Sequence, residues 1–157
     1  MPTCITEPNT VAVEIHRLPH APAALPAYKT PGAAGMDVAA AIEAPITLQP
    51  MERHLIPTGL IVQIPEGYEI QLRARSGVAI KHGVTLVNGV GTIDSDYRDE
   101  VKVALINLSP VPFTLQPGDR IAQMLLAPVY RVEWSEVEGH AVERVVGRDG
   151  GFGSTGI

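Results

Sequence analysis

The chain has 157 residues, 45% of them hydrophobic, and a net charge of −5. That length suits one domain with a real core, and the acidic balance argues against a general nucleic-acid binder, which needs a basic face to neutralise phosphates. Cys4 is the only cysteine, so no internal disulfide can form, and a reducing, cytoplasmic setting is expected. The first thirty residues carry no apolar run of the signal-peptide kind. No stretch approaches membrane-spanning length, so no membrane partner is expected. The five histidines are scattered without paired-ligand spacing, which gives a structural zinc site little support.

Fourteen prolines, from Pro2 to Pro128, punctuate short apolar runs. Val11–Ile15 alternates apolar and polar residues, as does Ile61–Ile64. Pro65-Glu66-Gly67 then marks a turn, and Tyr68–Leu72 resumes the alternation. Ser76 to His82 is the one segment suited to a short helix, with Ser76 as its N-cap. Val101–Ile106 and Ile121–Leu126 are further strands, divided by Pro117-Gly118-Asp119. There proline presets φ and glycine supplies the positive φ of a type II turn. Many short strands at regular spacing predict an all-β sandwich or barrel. Six of the fifteen glycines fall within residues 139–157. The chain therefore divides into a barrel, residues 1–138, and a flexible glycine-rich C-terminal arm, residues 139–157. Fully extended, the arm reaches roughly 60 Å, enough to cover a site on another subunit.

Five segments carry candidate chemistry. In Ala34-Gly35-Met36-Asp37-Val38, Asp37 is either a turn residue or a ligand for magnesium, which prefers oxygen donors and keeps several waters. In Arg73-Ala74-Arg75-Ser76-Gly77, Arg75 can grip phosphate oxygens in a bidentate fork, with Ser76 and the N–H groups beyond it adding to an anion site. A surface basic turn is the plainer alternative. Asn88 to Glu100 reads as a hairpin whose tip offers backbone donors and acceptors to a pyrimidine edge, or as a solvated turn. Within it Asp94 and Asp96 would share one face of a strand, and either could deprotonate a water. In Gly118 to Gln123, Gln123 is a satisfied core amide or a ligand contact. In the tail, Phe152 offers a face on which a base can stack, and Ser154 and Thr155 offer hydroxyls to a phosphate.

The order of these segments resembles the trimeric dUTP pyrophosphatase (dUTPase) family. Its five motifs correspond here to Ala34–Ala40, Arg75–Gly83, Asn88–Val101, Gly118–Gln123 and Gly150–Gly156. The most specific are Gly91-Thr-Ile-Asp-Ser-Asp-Tyr97 and Gly150-Gly-Phe-Gly-Ser-Thr-Gly156. The resemblance implies a jelly-roll-like distorted β-barrel and a homotrimer with shared active sites, each closed by a C-terminal arm. It implies hydrolysis of dUTP to dUMP and pyrophosphate with Mg2+, which limits uracil incorporation into DNA and supplies dUMP for dTMP synthesis. By position, Asp94 resembles the carboxylate that activates the water attacking the α-phosphorus, and Asp37 the one that holds the hydrated ion through water. Asn88 and the backbone of Gly91, Thr92 and Ile93 would read uracil, while Tyr97 would pack against deoxyribose. Arg75, Ser76, Gly77 and Gln123 resemble phosphate-side contacts. Phe152 would stack on the base, with Gly153, Ser154 and Thr155 beside it.

Two positions depart from the family pattern. Asp99 stands where the family usually has glycine, a modest penalty if the turn needs positive φ there. The arm arginine normally five residues before the phenylalanine is replaced by Gly147, leaving Arg148, one residue closer, as the candidate γ-phosphate contact. Competing readings are a dCTP deaminase (or a bifunctional deaminase and dUTPase), a non-catalytic trimer that senses dUTP, and a structural jelly-roll protein without ligand.

Overall fold

A computed structural model describes residues 10–139. Its strands are β1 (Glu14–Arg17), β2 (Met36–Ala39), β3 (Ile46–Leu48), β4 (Arg53–Pro57), β5 (Leu60–Gln63) and β6 (Tyr68–Ala74). After the helix α1 (Ser76–His82) come β7 (Val84–Leu86), β8 (Gly91–Ile93), β9 (Lys102–Asn107), β10 (Phe113–Leu115) and β11 (Arg120–Pro128). All ladders are antiparallel and form four small sheets, ordered β1-β5, β10-β3, β2-β11-β6-β8 and β4-β9-β7. The four sheets wrap one core, a jelly-roll-like barrel as expected.

The core takes side chains from all four sheets. Val62 comes from β5, Leu48 and Leu115 from β3 and β10, Val38 and Met124 from β2 and β11, and Ile56, Val103 and Val84 from β4, β9 and β7. Burying a side chain of this size contributes about 1.5–3 kcal/mol. The alternation behind this packing is visible in β9, where Val103, Leu105 and Asn107 point inward and Lys102 outward. Asn107 is wholly buried yet satisfied, its amide donating to Leu48 O at 3.0 Å and Val111 O at 2.8 Å and its Oδ1 accepting from Ser109 N–H at 2.9 Å. No buried side-chain polar atom among the described residues lacks a partner.

Both predicted turns form, with Gly67 at φ 87° and Gly118 at φ 80°. Three expectations change. Ser76 is the first helical residue, not the cap; the extended Arg75 occupies the cap position and makes no side-chain capping bond. The helix instead closes through Arg75 O, which accepts from Val78 and Ala79 N–H. Asn88–Glu100 is not a self-paired hairpin. It is a turn, a three-residue strand and a second turn, because β8 pairs with β6 while β7 pairs with β9 in another sheet. Asp99 carries no positive φ; among the described non-glycine residues only Met51 does, at 64°. Asp99 therefore imposes no left-handed strain; the one left-handed non-glycine among the described residues is in the Pro50-Met51 turn.

Candidate active site

Six of the expected residues line one cleft of about 580 Å³: Asn88, Gly91, Thr92, Ile93, Asp94 and Tyr97. Leu72 and Leu86, both buried, provide apolar wall. Gly91 sits where β8 lies against β6, opposite Leu72; a Cβ there would approach Leu72 Cβ to 3.2 Å and the Asn88 amide nitrogen to 3.3 Å. The missing side chain thus keeps cleft space open beside Asn88. Strand β8 ends at Ile93, and Asp94 opens a turn closed by Tyr97 N–H donating to Asp94 O at 3.1 Å. The turn separates the two aspartates that a continuous strand would have put on one face. Asp94 lines the cleft and Asp96 does not; both border a neighbouring depression beside Glu69 and Arg131.

The other expected residues gather at the opposite edge of the same sheet. Asp37 lies on β2, in register with Gln123 of β11 rather than in a turn. Arg75 Nε donates to Asp37 Oδ1 at 3.1 Å, Gln123 Nε2 to the same oxygen at 3.3 Å, and Arg120 Nη1 to Oδ2 at 2.9 Å. Arg75 also donates to Arg120 O at 3.0 Å. Burial pushes the Asp37 pKa upward, but the Arg75 charge and the bonds from Arg120 and Gln123 outweigh it and hold the carboxyl below its usual range. One carboxylate against two guanidiniums leaves one positive charge in excess, which suits an anion. Ser76 and Gly77 follow Arg75 directly and are exposed.

Among the described residues there is no cluster of three or more acidic, histidine or cysteine side chains. A self-sufficient metal cage is therefore absent there, but magnesium is commonly held by one or two carboxylates together with substrate phosphates. Asp37 fits that use, since Oδ2 accepts only one protein hydrogen bond. Arg148, Phe152, Gly153, Ser154 and Thr155 lie outside the described residues.

The two groups meet different parts of the sheet. In the order β2-β11-β6-β8, Asp37 lies three strand spacings from β8, roughly 14 Å, while the backbone of Arg75, just after β6, is next to β8 and only its side chain reaches toward Asp37. Sequence reasoning missed Arg120, which sits inside the Gly118–Gln123 segment, and Asp99, Glu100 and Lys102, which border the cleft. Their signal was a charge within a recognised motif, or for Lys102 just beyond one, and charge alone does not distinguish a site from a solvated surface.

The dUTPase family model matches residues 21–156. The deoxyuridine 5'-triphosphate nucleotidohydrolase of Wolbachia sp. subsp. Brugia malayi is 53% identical over 149 residues, covering 94% of this chain and 96% of that protein. The enzyme of the same name from Desulfotalea psychrophila is 58% identical over 134 residues, 85% of this chain and 87% of that protein. A Staphylococcus bacteriophage 80alpha dUTPase with dUpNHpp superposes with a TM-score of 0.80 at 25% identity, covering 94% of this chain and 100% of that one.

Proposed function

Because the chain belongs to the dUTPase family, we propose that it hydrolyses dUTP to dUMP and pyrophosphate. The observation that carries this reading is the convergence of Asn88, Gly91, Thr92, Ile93, Asp94 and Tyr97 on one cleft. Asn88 and the β8 backbone read the uracil edge. Cytosine offers an amino donor where uracil offers a carbonyl acceptor, leaving buried polar groups unpaired, a mismatch that discriminates strongly. The Tyr97 ring walls off the sugar. Asp94, exposed at the cleft mouth, orients a water and takes its proton as the oxygen attacks the α-phosphorus.

The triphosphate meets the other group of residues. Arg75, Arg120 and Gln123 present cationic and amide donors, with Ser76 and Gly77 at the helix start beside them. Asp37, through a water, holds magnesium, which supplies neutralisation of the charge developing toward pyrophosphate. Asp37, on which these donors converge, lies at the far edge of the sheet from β8 and Asp94, so the site is completed between copies, in a homotrimer. The segment after β11 supports such association. Tyr130, Val132 and Trp134 alternate with polar residues and stand 89%, 69% and 89% exposed, an apolar row without a partner in a single copy. On the same reading Arg148 and Phe152, which lie outside the described residues, contact the γ-phosphate and the base. A cytoplasmic setting belongs to the same proposal; no described helix is long and apolar enough to cross a membrane.

Hydrolysis in 18O-labelled water tests the chemistry. The reading expects label in dUMP and none in pyrophosphate. Label in pyrophosphate would move the attack to the β-phosphorus, and ammonia release from dCTP would point to a deaminase.

A further inference from the structure

Two distant segments of the chain, and Lys102 two residues on, meet on the carboxylate of Glu100. Oε1 accepts from Gly59 N–H at 2.7 Å and lies 2.8 Å from His20 Nε2; Oε2 lies 4.0 Å from Lys102 Nζ. The side chain is only 14% exposed. Gly59 is the hub of the junction, with φ at 69°, and a Cβ there would come within 2.4 Å of Ala21 Cα. The loop bearing His20 is also tied to Gly59, through Leu18 N–H donating to Gly59 O at 2.8 Å. The next residue is fastened as firmly. Val101 N–H donates to Leu60 O at 2.8 Å, and the buried Thr58 hydroxyl donates to Val101 O at 2.6 Å.

Glu100 and Lys102 border the cleft themselves, and one further bond ties the cleft's Tyr97 to the junction. The Tyr97 hydroxyl donates to the Glu100 carbonyl oxygen at 3.0 Å. Tyr97 lines the cleft with a half-exposed ring, so its pose follows wherever the Glu100 backbone is held. Burial pushes the Glu100 pKa upward, yet the bonds from His20 and Gly59 and the nearby cations outweigh it, so the anchoring group is the ionised carboxylate. A mostly buried carboxylate is a poor choice for packing alone, since an apolar side chain of similar volume costs less desolvation. Its three engagements, with a backbone N–H, a histidine and a lysine, suit a part that fixes geometry.

We propose that Glu100 is a positioning residue: by clamping the chain to Gly59 and His20 it fixes the Tyr97 ring and thereby the fit of the deoxyribose. This rests on the dUTP reading, so wild-type turnover is measured first, and a readout that needs no nucleotide is kept beside it. That readout is the ring resonance of Tyr97 in 13C-tyrosine protein, assigned with Tyr97→Phe. In Glu100→Ala the resonance should shift, KM for dUTP should rise about tenfold or more, and preference for dUTP over UTP should fall, with kcat changed far less. Glu100→Gln, which restores an acceptor for Gly59, should recover most of the affinity. Should Glu100→Ala fail to fold, Glu100→Asp, one methylene too short to reach Gly59, carries the same expectation. A folded variant with wild-type KM and an unmoved Tyr97 resonance would overturn the proposal, as would parallel losses that glutamine does not rescue. A wild type inert toward dUTP would sink the substrate reading, while the resonance would still decide the clamp.

Discussion

Arg75 Nε lies 3.1 Å from Asp37 Oδ1, and this contact joins the start of helix α1 to strand β2. Two segments 38 residues apart in sequence thus share one charged junction. The carboxylate holds both guanidiniums in place while cancelling only one of their charges. A phosphate approaching this edge finds donors already oriented, and the cost of ordering two long side chains has been met in folding.

Asp37→Asn keeps the shape of that junction and removes its negative charge. The magnesium concentration for half-maximal activity should rise about tenfold or more, because the amide is a far weaker partner for a cation-bound water. Titrating activity against magnesium at fixed dUTP checks this. An unchanged half-saturation would remove Asp37 from the surroundings of the metal.

Asp94→Asn should lower kcat by about 10²–10⁴-fold while leaving KM within a few-fold, the signature of losing a proton acceptor and not a binding contact. Asp96→Asn should stay near wild type, because Asp96, unlike Asp94, does not line the cleft. Steady-state kinetics on both variants decide the assignment; comparable losses in the two would return the base to ambiguity.

The spacing of roughly 14 Å between Asp37 on β2, where the Arg75 side chain is anchored, and strand β8 yields a test of sharing between copies. Asp94→Asn and Arg75→Ala chains, each nearly inactive alone, should regain about a quarter of wild-type activity when unfolded together and reassembled. In a random cyclic trimer, one pairing in four combines both intact halves. No recovery in mixed, correctly assembled protein would mean that each chain builds its own site.

Acid should weaken the fold through Asp37 and Glu100. Both have folded-state pKa values below the ordinary range; in both, burial acts upward and is outweighed by the neighbouring donors and cations. Such groups add stability above their ordinary pKa, and lose it as pH falls through the folded value. Stability should therefore drop below about pH 4.3, and less steeply in Glu100→Gln and Asp37→Asn. Urea midpoints measured from neutral pH down to about pH 3 test this; parallel curves for wild type and variants would contradict it.

What could be read from the sequence follows the length and regularity of each element. Tyr68–Leu72 and Ile121–Leu126 alternate over a half-buried sheet and form the long central pair β6 and β11. Strands β3, β7, β8 and β10 have three residues, too few to show a period, and the glycine before Met36–Ala39 made that short strand look like a turn. Asn88–Glu100 looked like a hairpin because its glycines and acids are turn chemistry, but pairing is decided by distant strands that local sequence does not show. The cleft residues were legible as a motif. The junction on Asp37 was only partly so, because Arg120 reaches it across 83 residues, and the Glu100 clamp depends on His20, 80 residues away.

The measurement that most directly tests the central claim is pyrophosphate release from dUTP, dCTP, dTTP and UTP with magnesium, with ammonia assayed in parallel. The account predicts release from dUTP far above the other three and no ammonia. Binding of dUTP without turnover, or release that does not depend on the base, would contradict it.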